Sequence, residues 1–317
     1  MNSGSTAAPL RVAVILPCYN EEAAIGSTIA GFRKALPDAR IYVYDNNSAD
    51  RTREVAARAG AIVRRERMQG KGHVVRRMFA DVEADIYVMA DGDATYDPTA
   101  APGLIDRLIE EQLDMVVGAR ASEVEEAYRR GHRFGNAMLT GILARIFGRT
   151  FSDILSGYRV FSRRFVKSFP ILSAGFEIET EISVHALELR MPVGEVVTRY
   201  GARPEGSTSK LSTYRDGWRI LRTILTLFRI ERPVLYFGMI GLALALLAVI
   251  LAIPLVVTYV QTGLVPRFPT ALLATGLVIV AFLCFFTGLI LDTVVRGRRE
   301  VRRLAYLAFC APTRDEA

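Results

Sequence analysis

The sequence lacks the paired cysteines and spaced histidines of disulfide or zinc scaffolds. Among its 317 residues only three are cysteine, and these lie far apart at Cys18, Cys284 and Cys310. Because the number is odd and Cys284 sits within a long apolar run, we expect no disulfide framework and a reducing compartment. The three histidines show no metal-ligand spacing, which argues against a zinc site.

Glycine-rich phosphate cradles are missing as well. No Gly-x-Gly-x-x-Gly follows the first predicted strand, and no Gly-x-x-x-x-Gly-Lys-Ser/Thr occurs anywhere. The segment Gln69–Gly72 lacks both the upstream glycine and the following hydroxyl of a P-loop. A nucleotide held by acidic residues and a metal ion is therefore the remaining option, with Lys71 meeting phosphate or lying in a solvated loop.

The N-terminal residues Met1–Pro9 are small and polar, without the apolar core of a secretory signal. We expect them to be disordered and the catalytic part to stay on the cytoplasmic side. The formal net charge of +7 indicates a polyanionic partner. Two long charge-free runs near the C-terminus favour lipid and phosphate over nucleic acid as that partner.

Short apolar runs alternate with helical patterns through the first part of the chain. Five short runs have the composition of strands: Arg11–Leu16, Ile41–Tyr44, Ala61–Val63, Ile86–Met89 and Met115–Val117. Strands alternating with helices at this spacing predict right-handed βαβ units and an α/β fold with a mostly parallel, doubly wound sheet.

Carboxylates follow two of these predicted strands, Asp45 after the second and Asp91 with Asp93 after the fourth. Alternation along an extended chain would project Asp91 and Asp93 to one side, as a hard oxygen site for Mg²⁺ or Mn²⁺. An acidic surface turn is the plainer alternative. A calcium loop is excluded, because its glycine position is Tyr96 and its closing glutamate position is Pro102.

The order of short motifs along about residues 10–230 resembles that of family 2 inverting glycosyltransferases with the GT-A fold. The matching segments are Pro17–Glu22, Asp45–Thr52, Gln69–Gly72 and Asp91–Asp93. Two later segments, Ser152–Arg159 and Phe176–Glu179, resemble the dolichol-phosphate mannose synthase branch and its bacterial polyisoprenyl-phosphate relatives.

The resemblance implies a site for a UDP- or GDP-hexose, with Mg²⁺ or Mn²⁺ held by Asp91 and Asp93 at the donor diphosphate. The implied nucleotide-sugar residues are Pro17, Tyr19, Glu21, Asp45, Asn47, Lys71 and Asp91. The catalytic set is Asp93, Asp153 and Arg159. Asp153 enters it as an orienting group or a base, with a helix cap as the alternative.

A phosphate acceptor would not need a general base, because a phosphate monoester is largely dianionic at neutral pH. A sugar hydroxyl would need one. A basic acceptor pocket is therefore predicted, with Arg120 and Arg133 as candidates. The segment Arg203–Lys210 resembles the family's loop for the acceptor phosphate, which implies Arg203, Ser209 and Lys210 as further members. For each arginine a solvated face or a lipid headgroup contact is the alternative. Glu177 and Glu179 fit either an acid/base pair or the polar face of an alternating strand.

The C-terminal part predicts membrane attachment. The charge-free runs Val234–Val260 and Thr270–Leu291 are long enough to span a bilayer, and arginine-rich flanks place both outer ends in the cytoplasm. The predicted organisation is a disordered N-terminus at 1–9, a GT-A domain at 10–212, an interfacial amphipathic helix at 213–232, a transmembrane hairpin at 233–295 with spans at about 234–260 and 270–291, and a basic cytoplasmic tail at 296–317.

These features together predict a multi-pass enzyme of the inner (cytoplasmic) membrane that transfers one hexose from a nucleotide sugar to a polyisoprenyl phosphate. A processive polysaccharide synthase is disfavoured, because the only tryptophan, Trp218, does not stand in a Gln-x-x-Arg-Trp motif. A non-catalytic membrane scaffold or lipid-flipping partner is the alternative from another class. The resemblance favours a homo-oligomer packed through the spans and leaves the sugar and the base open.

Overall fold

The computed structural model describes residues 10–121, 141, 152–171, 173–175, 177–201 and 213–312. The chain divides into two compact units. The first comprises Met1–Leu221 and Arg302–Ala317, and the second comprises Arg222–Val301.

The described residues of the first unit form a seven-stranded sheet. Its strands are β1 (Val12–Cys18), β2 (Arg40–Asp45), β3 (Ile62–Arg65), β4 (Ile86–Met89), β5 (Met115–Ala121), β6 (Arg159–Ser162) and β7 (Val193–Arg199). They lie in the order β3-β2-β1-β4-β6-β5-β7. Only β6, within the described chain, runs antiparallel to its neighbours β4 and β5. The predicted mostly parallel sheet is confirmed.

Helices cover the faces of this sheet. Their described bounds are α1 (Ile25–Ala35), α2 (Thr52–Arg58), α3 (Lys71–Asp81), α4 (Ala101–Glu110), α5 (Arg163–Ser168) and α6 (Ile178–Glu188). The alternating-strand interpretation of Glu177 and Glu179 is wrong, because Glu177 caps α6 and Glu179 lies in its first turn. Two acids at a helix N-terminus also complement the helix dipole there.

Strand β1 shows why the core forms where it does. Val14, Ile15 and Leu16 are fully buried, since helices shield both faces of a parallel sheet. Burying each such side chain contributes about 2 kcal/mol. The pairing of Cys18 with Asp45 across β1 and β2 brings the carboxyl ends of these strands side by side. This edge is where open α/β sheets bind their ligands.

The end of the chain also belongs to the first unit. Arg302 lies 2.5 Å from the carboxylate of Glu188 at the end of α6. The hydroxyl of Tyr306 donates to Asp114 over 2.9 Å. This segment is therefore ordered against the sheet and its helices, whereas the sequence predicted only a basic tail.

The second unit contains the apolar helix α8 (Pro233–Thr262) and α9 (Phe268–Leu307) up to Val301, and α7 (Thr213–Glu231) leads into it. Helices α8 and α9 are both long and apolar enough to cross a membrane. Apart from Pro233, their buried positions recur every seven residues, at Gly241, Ala248 and Leu255 in α8 and at Ala274, Ala281, Gly288 and Val295 in α9. This spacing is that of a left-handed helix pair, and its small residues allow close backbone approach.

Candidate active site

Asp45 ends strand β2 and is completely buried. Both its carboxylate oxygens lie 3.3 Å from the backbone nitrogen of Ser48, and Oδ2 lies 3.7 Å from Nε of Arg53. The last residue of β2 thus holds a carboxylate in a defined position at the edge of the sheet. Pro17, one strand over, pairs with Tyr44, and Tyr19 follows β1 with 39% of its surface exposed.

Asp91 and Asp93 lie beyond the end of β4, which stops at Met89. Their placement in a turn corrects the expectation of an extended chain with alternating side chains. Asp93 is nearly buried, and its Oδ1 accepts from the backbone nitrogen and the hydroxyl of Thr95, at 3.2 and 2.6 Å. A Cβ on Gly92 would lie 2.4 Å from the sulfur of Cys18, so glycine lets this turn press against β1.

Lys71 joins Asp91 to a second carboxylate. Its Nζ lies 2.5 Å from Oδ1 of Asp91 and 2.5 Å from Oε1 of Glu179, and its side chain is 9% exposed. The side chain of Asp91 remains 31% exposed. The sequence pattern allowed two interpretations of Glu179. The structure places its carboxylate in direct contact with Lys71 of the predicted donor site.

Burial and charge act in opposite directions on this cluster. Burial alone would lower the pKa of Lys71, but the carboxylates of Asp91 and Glu179 outweigh it and raise that pKa above its ordinary value. Burial raises the pKa of Glu179, and the Lys71 ammonium offsets part of that rise. Lys71 therefore remains a cation at neutral pH.

The two glycines of Gln69–Gly72 have a packing role. A Cβ on Gly70 would lie 2.1 Å from the carbonyl oxygen of Ala174, and one on Gly72 would lie 2.1 Å from that of Ser173. The backbone nitrogen of Gly72 donates to the Ala174 carbonyl over 3.0 Å. Gly70 also has a φ of 134°, which glycine adopts without strain. The glycines let Lys71 sit against the segment that leads into α6.

Asparagine side chains fix the loop before Lys71. Asn46 donates to the carbonyl of Met68 and accepts from the nitrogen of Gly70, each over 2.7 Å. Asn47, with a φ of 63°, donates to the Arg67 carbonyl over 2.8 Å. The sequence singled out Asn47 and missed Asn46, although Asn46 follows directly on a strand end. Glu21 is also buried, and its backbone nitrogen donates to Thr52.

Asp153 forms a two-pronged ion pair with Arg120. Nε and Nη2 of Arg120 lie 2.6 and 2.8 Å from the two carboxylate oxygens. Burial alone would raise the pKa of Asp153, but the hydrogen bonds and charge of Arg120 lower it below its ordinary value. A carboxylate with a lowered pKa is a weak base, so the contact suits an orienting role for Asp153.

Arg159 is completely buried in β6. It donates to the carbonyls of Ser156 and Ile154 over 2.9 and 2.7 Å and to the hydroxyl of Ser183 over 3.0 Å. Burial lowers its pKa to about 10, which leaves it charged at neutral pH. Within the described residues, the contacts of Arg159 therefore stabilise the loop that carries Asp153.

The carboxylates of Asp91 and Asp93 are ligands of the kind that a hard divalent cation prefers. The described residues contain no cluster of three or more His, Cys, Asp or Glu side chains with metal-ligand geometry. Asp91 and Asp93 supply two carboxylates, and a Cβ on Gly157 would lie 2.7 Å from Oδ2 of Asp91, so glycine leaves room there. Mg²⁺ and Mn²⁺ sites commonly use one or two carboxylates, with water and phosphate completing the shell.

The predicted acceptor residues are only partly described. Arg120 lies beside Asp153, and its guanidinium carbon is 5.6 Å from the ring centre of Tyr200. Arg133, Arg203, Ser209 and Lys210 lie outside the described residues. The basic pocket therefore stays a prediction.

A solved structure of similar fold is the glucosyl-3-phosphoglycerate synthase of Mycobacterium tuberculosis, in complex with Mn²⁺, UDP and glucosyl-3-phosphoglycerate. It superposes with a TM-score of 0.56 and 23% identity, over 68% of this chain and 79% of that chain. At this identity the likeness concerns the fold alone, and it supports the predicted GT-A architecture.

Sequence comparison identifies the family. The model for glycosyl transferase family 2 matches residues 13–169. The glycosyltransferase AglJ of Haloferax volcanii is 37% identical over 237 residues, which cover 74% of this chain and 78% of that protein. The dolichyl-phosphate hexose transferase of the same organism is 28% identical over 221 residues, which cover 70% and 95%. The chain therefore belongs to glycosyl transferase family 2 and is a glycosyltransferase.

Proposed function

We propose that this enzyme transfers one hexose, with inversion, from a UDP- or GDP-sugar to the phosphate of a polyisoprenyl phosphate at a membrane. The observation that supports a lipid acceptor is the pair of long apolar helices, α8 and α9, attached to a family 2 catalytic unit. A relative whose name states a dolichyl-phosphate acceptor, aligned over 95% of its length, supports the same class of acceptor.

On the donor side, Pro17, Tyr19, Glu21, Asp45 and Asn47 would line the nucleotide site. Asp91 and Asp93 would hold Mg²⁺ or Mn²⁺, whose charge would offset that of the departing diphosphate. The Mn²⁺ and UDP named for the Mycobacterium tuberculosis enzyme of the same fold are in keeping with this proposal. Lys71 would add a further positive charge on the phosphate side.

On the acceptor side, the phosphate dianion attacks the anomeric carbon without a protein base. The ion pair of Asp153 with Arg120 supports this, because it keeps that carboxylate ionised and weakly basic. Holding the dianion opposite the leaving diphosphate gives a single displacement, which inverts the configuration. The proposed phosphate ligands are Arg120, Arg133, Arg203, Ser209 and Lys210.

Helices α8 and α9 would form the membrane hairpin, with α7 on the lipid surface. The arginine-rich segments that flank the proposed hairpin on both outer sides support cytoplasmic ends for it by the positive-inside rule. Lys210 stands three residues before the start of α7 at Thr213, which would bring the acceptor loop to headgroup depth. The proposed location is the cytoplasmic membrane, with the GT-A domain in the cytoplasm.

The test is transfer of radiolabel by the full-length protein purified in detergent. UDP-glucose, UDP-galactose and GDP-mannose would each be supplied with undecaprenyl or dolichyl phosphate and Mn²⁺. We expect one donor to label the organic phase, and EDTA to abolish that labelling. Asp93→Asn should lower the rate by about a hundredfold or more, since it weakens charge stabilisation at the leaving group. Labelling that persists in EDTA and in Asp93→Asn would overturn the metal assignment.

A further inference from the structure

Glu179 is a buried carboxylate that the donor and acceptor motifs do not assign. It is 4% exposed, and its Oε1 lies 2.5 Å from Nζ of Lys71. The same ammonium lies 2.5 Å from Oδ1 of Asp91. One lysine is therefore shared between a proposed metal ligand and a carboxylate that stands outside the metal site.

Hydrogen bonds hold the segment around Lys71 against the segment that leads to Glu179. Gly72, the next residue, donates to the carbonyl of Ala174, and the nitrogen of Ser173 donates to the side chain of Glu181 over 2.7 Å. The segment Ser173–Gly175 thus connects the start of α3 to the first turn of α6. Close contact at Gly70 and Gly72 leaves no room for a side chain between the two.

We propose that Glu179 is a positioning residue. It remains the ion-pair partner of Lys71 when the carboxylate of Asp91 binds a divalent cation. The proposal rests on the metal site of the proposed function. With Glu179 in place, Lys71 has a second partner at the same distance and Asp91 is available to the cation. Without Glu179, the Lys71 ammonium would still lie close to Asp91 and would compete with the cation for that carboxylate.

The charges of the two partners predict opposite effects. Nζ of Lys71 lies 2.5 Å from a carboxylate oxygen of Glu179 and 2.5 Å from one of Asp91. Replacing Glu179 removes a carboxylate from beside the proposed cation site, whereas replacing Lys71 removes an ammonium group. The two substitutions therefore have opposite effects on the affinity for the cation.

The test is Mn²⁺ binding to the full-length protein in detergent without nucleotide sugar, measured from the paramagnetic resonance signal of free Mn²⁺. Glu179→Gln should weaken binding by about tenfold, and Lys71→Met should tighten it by a similar factor. In the Lys71→Met background, Glu179→Gln should weaken binding by about twofold or less. Equal weakening in both backgrounds, or none in either, would overturn the proposal, and so would weaker binding by Lys71→Met.

Controls separate this effect from a loss of structure. Glu188→Gln removes the buried ion pair that Glu188 forms with Arg302 at the far end of the same helix. This substitution should leave the affinity for Mn²⁺ unchanged. Glu179→Asp should recover part of the affinity lost in Glu179→Gln. If Asp91→Asn binds Mn²⁺ as tightly as the natural protein, the metal site itself is wrong. If Asp91→Asn loses binding while Glu179→Gln does not, the role of Glu179 alone is wrong.

Discussion

At the scale of single residues, buried charged side chains of the first unit form ion pairs. Lys71 contacts two carboxylates, Arg120 forms an ion pair with Asp153, and Arg164 contacts the buried Asp114. Removing one member of such a pair commonly costs about 3–5 kcal/mol, because the other charge stays buried. Substitutions here must therefore be judged by a binding or pH measurement in addition to activity.

His185 is the buried group whose titration should limit stability in mild acid. It is 3% exposed, with Nε2 3.2 Å from the hydroxyl of Ser168. Burial, reinforced by the charge of Arg302, lowers its pKa to about 3. The unfolded chain, with a histidine pKa of about 6.5, binds the proton first as the pH falls. The stabilisation is therefore complete above pH 6.5 and is lost progressively as the pH falls towards 3.

We expect the free energy of unfolding to fall by about 1.4 kcal/mol between pH 7.5 and pH 5.5 through His185 alone. His185→Gln should be less stable at pH 7.5 but should lose less stability over this interval. Thermal unfolding of both proteins in detergent at the two pH values measures the difference. An equal loss in both would show that another group carries the pH dependence.

At the scale of elements, the sequence predicted strands β1, β2, β4 and β5 well, because buried strands are continuous apolar runs. It did not predict the direction of β6, since four residues carry no signal for orientation and the direction is set by pairing with β4 and β5. It also misjudged Glu177 and Glu179, because two acids spaced by two fit both a strand face and a helix start. The contact of Lys71 with Glu179 joins distant segments, so no local pattern could reveal it.

The contact of α3 with the segment before α6 should be sensitive to a single methyl group. Gly72→Ala would place Cβ 2.1 Å from the Ser173 carbonyl oxygen, whereas Cβ at Gly103 in α4 meets nothing within 4 Å. We expect Gly72→Ala to cost about 2 kcal/mol or more. It should also weaken Mn²⁺ binding, as Glu179→Gln does, because it separates Lys71 from Glu179. Gly103→Ala should be neutral or slightly stabilising. Unchanged melting temperature and Mn²⁺ affinity in Gly72→Ala would contradict this account of the glycines.

The pairing of α8 with α9 should depend on its small residues in the same way. Cβ at Gly288 would lie 3.2 Å from the Cα of Val234, but Cβ at Gly276 in the same helix meets nothing within 4 Å. Gly288→Ile should therefore separate the helices and reduce the free energy of unfolding by about 1–3 kcal/mol. We expect this to lower the melting temperature in detergent by several degrees. Gly276→Ile is the matched control and should leave it unchanged. Equal effects of the two substitutions would rule out close packing at Gly288.

At the scale of the whole molecule, family 2 membership establishes the reaction class, and the apolar helices support the proposed acceptor. A water-soluble acceptor would need no membrane hairpin, whereas a lipid phosphate would. The net charge of +7 is consistent with phosphate and anionic lipid as neighbours. The identity of the hexose depends on contacts that the shared motifs do not specify.

The most direct test of the central claim compares acceptors that differ only in the phosphate. The full-length enzyme in lipid nanodiscs would receive its labelled nucleotide sugar with a polyprenyl phosphate, with the corresponding polyprenol, or with inorganic phosphate. We predict that one hexose is transferred to each polyprenyl phosphate and that the other two acceptors stay unlabelled. Transfer to the polyprenol, or equal transfer to inorganic phosphate, would contradict the account.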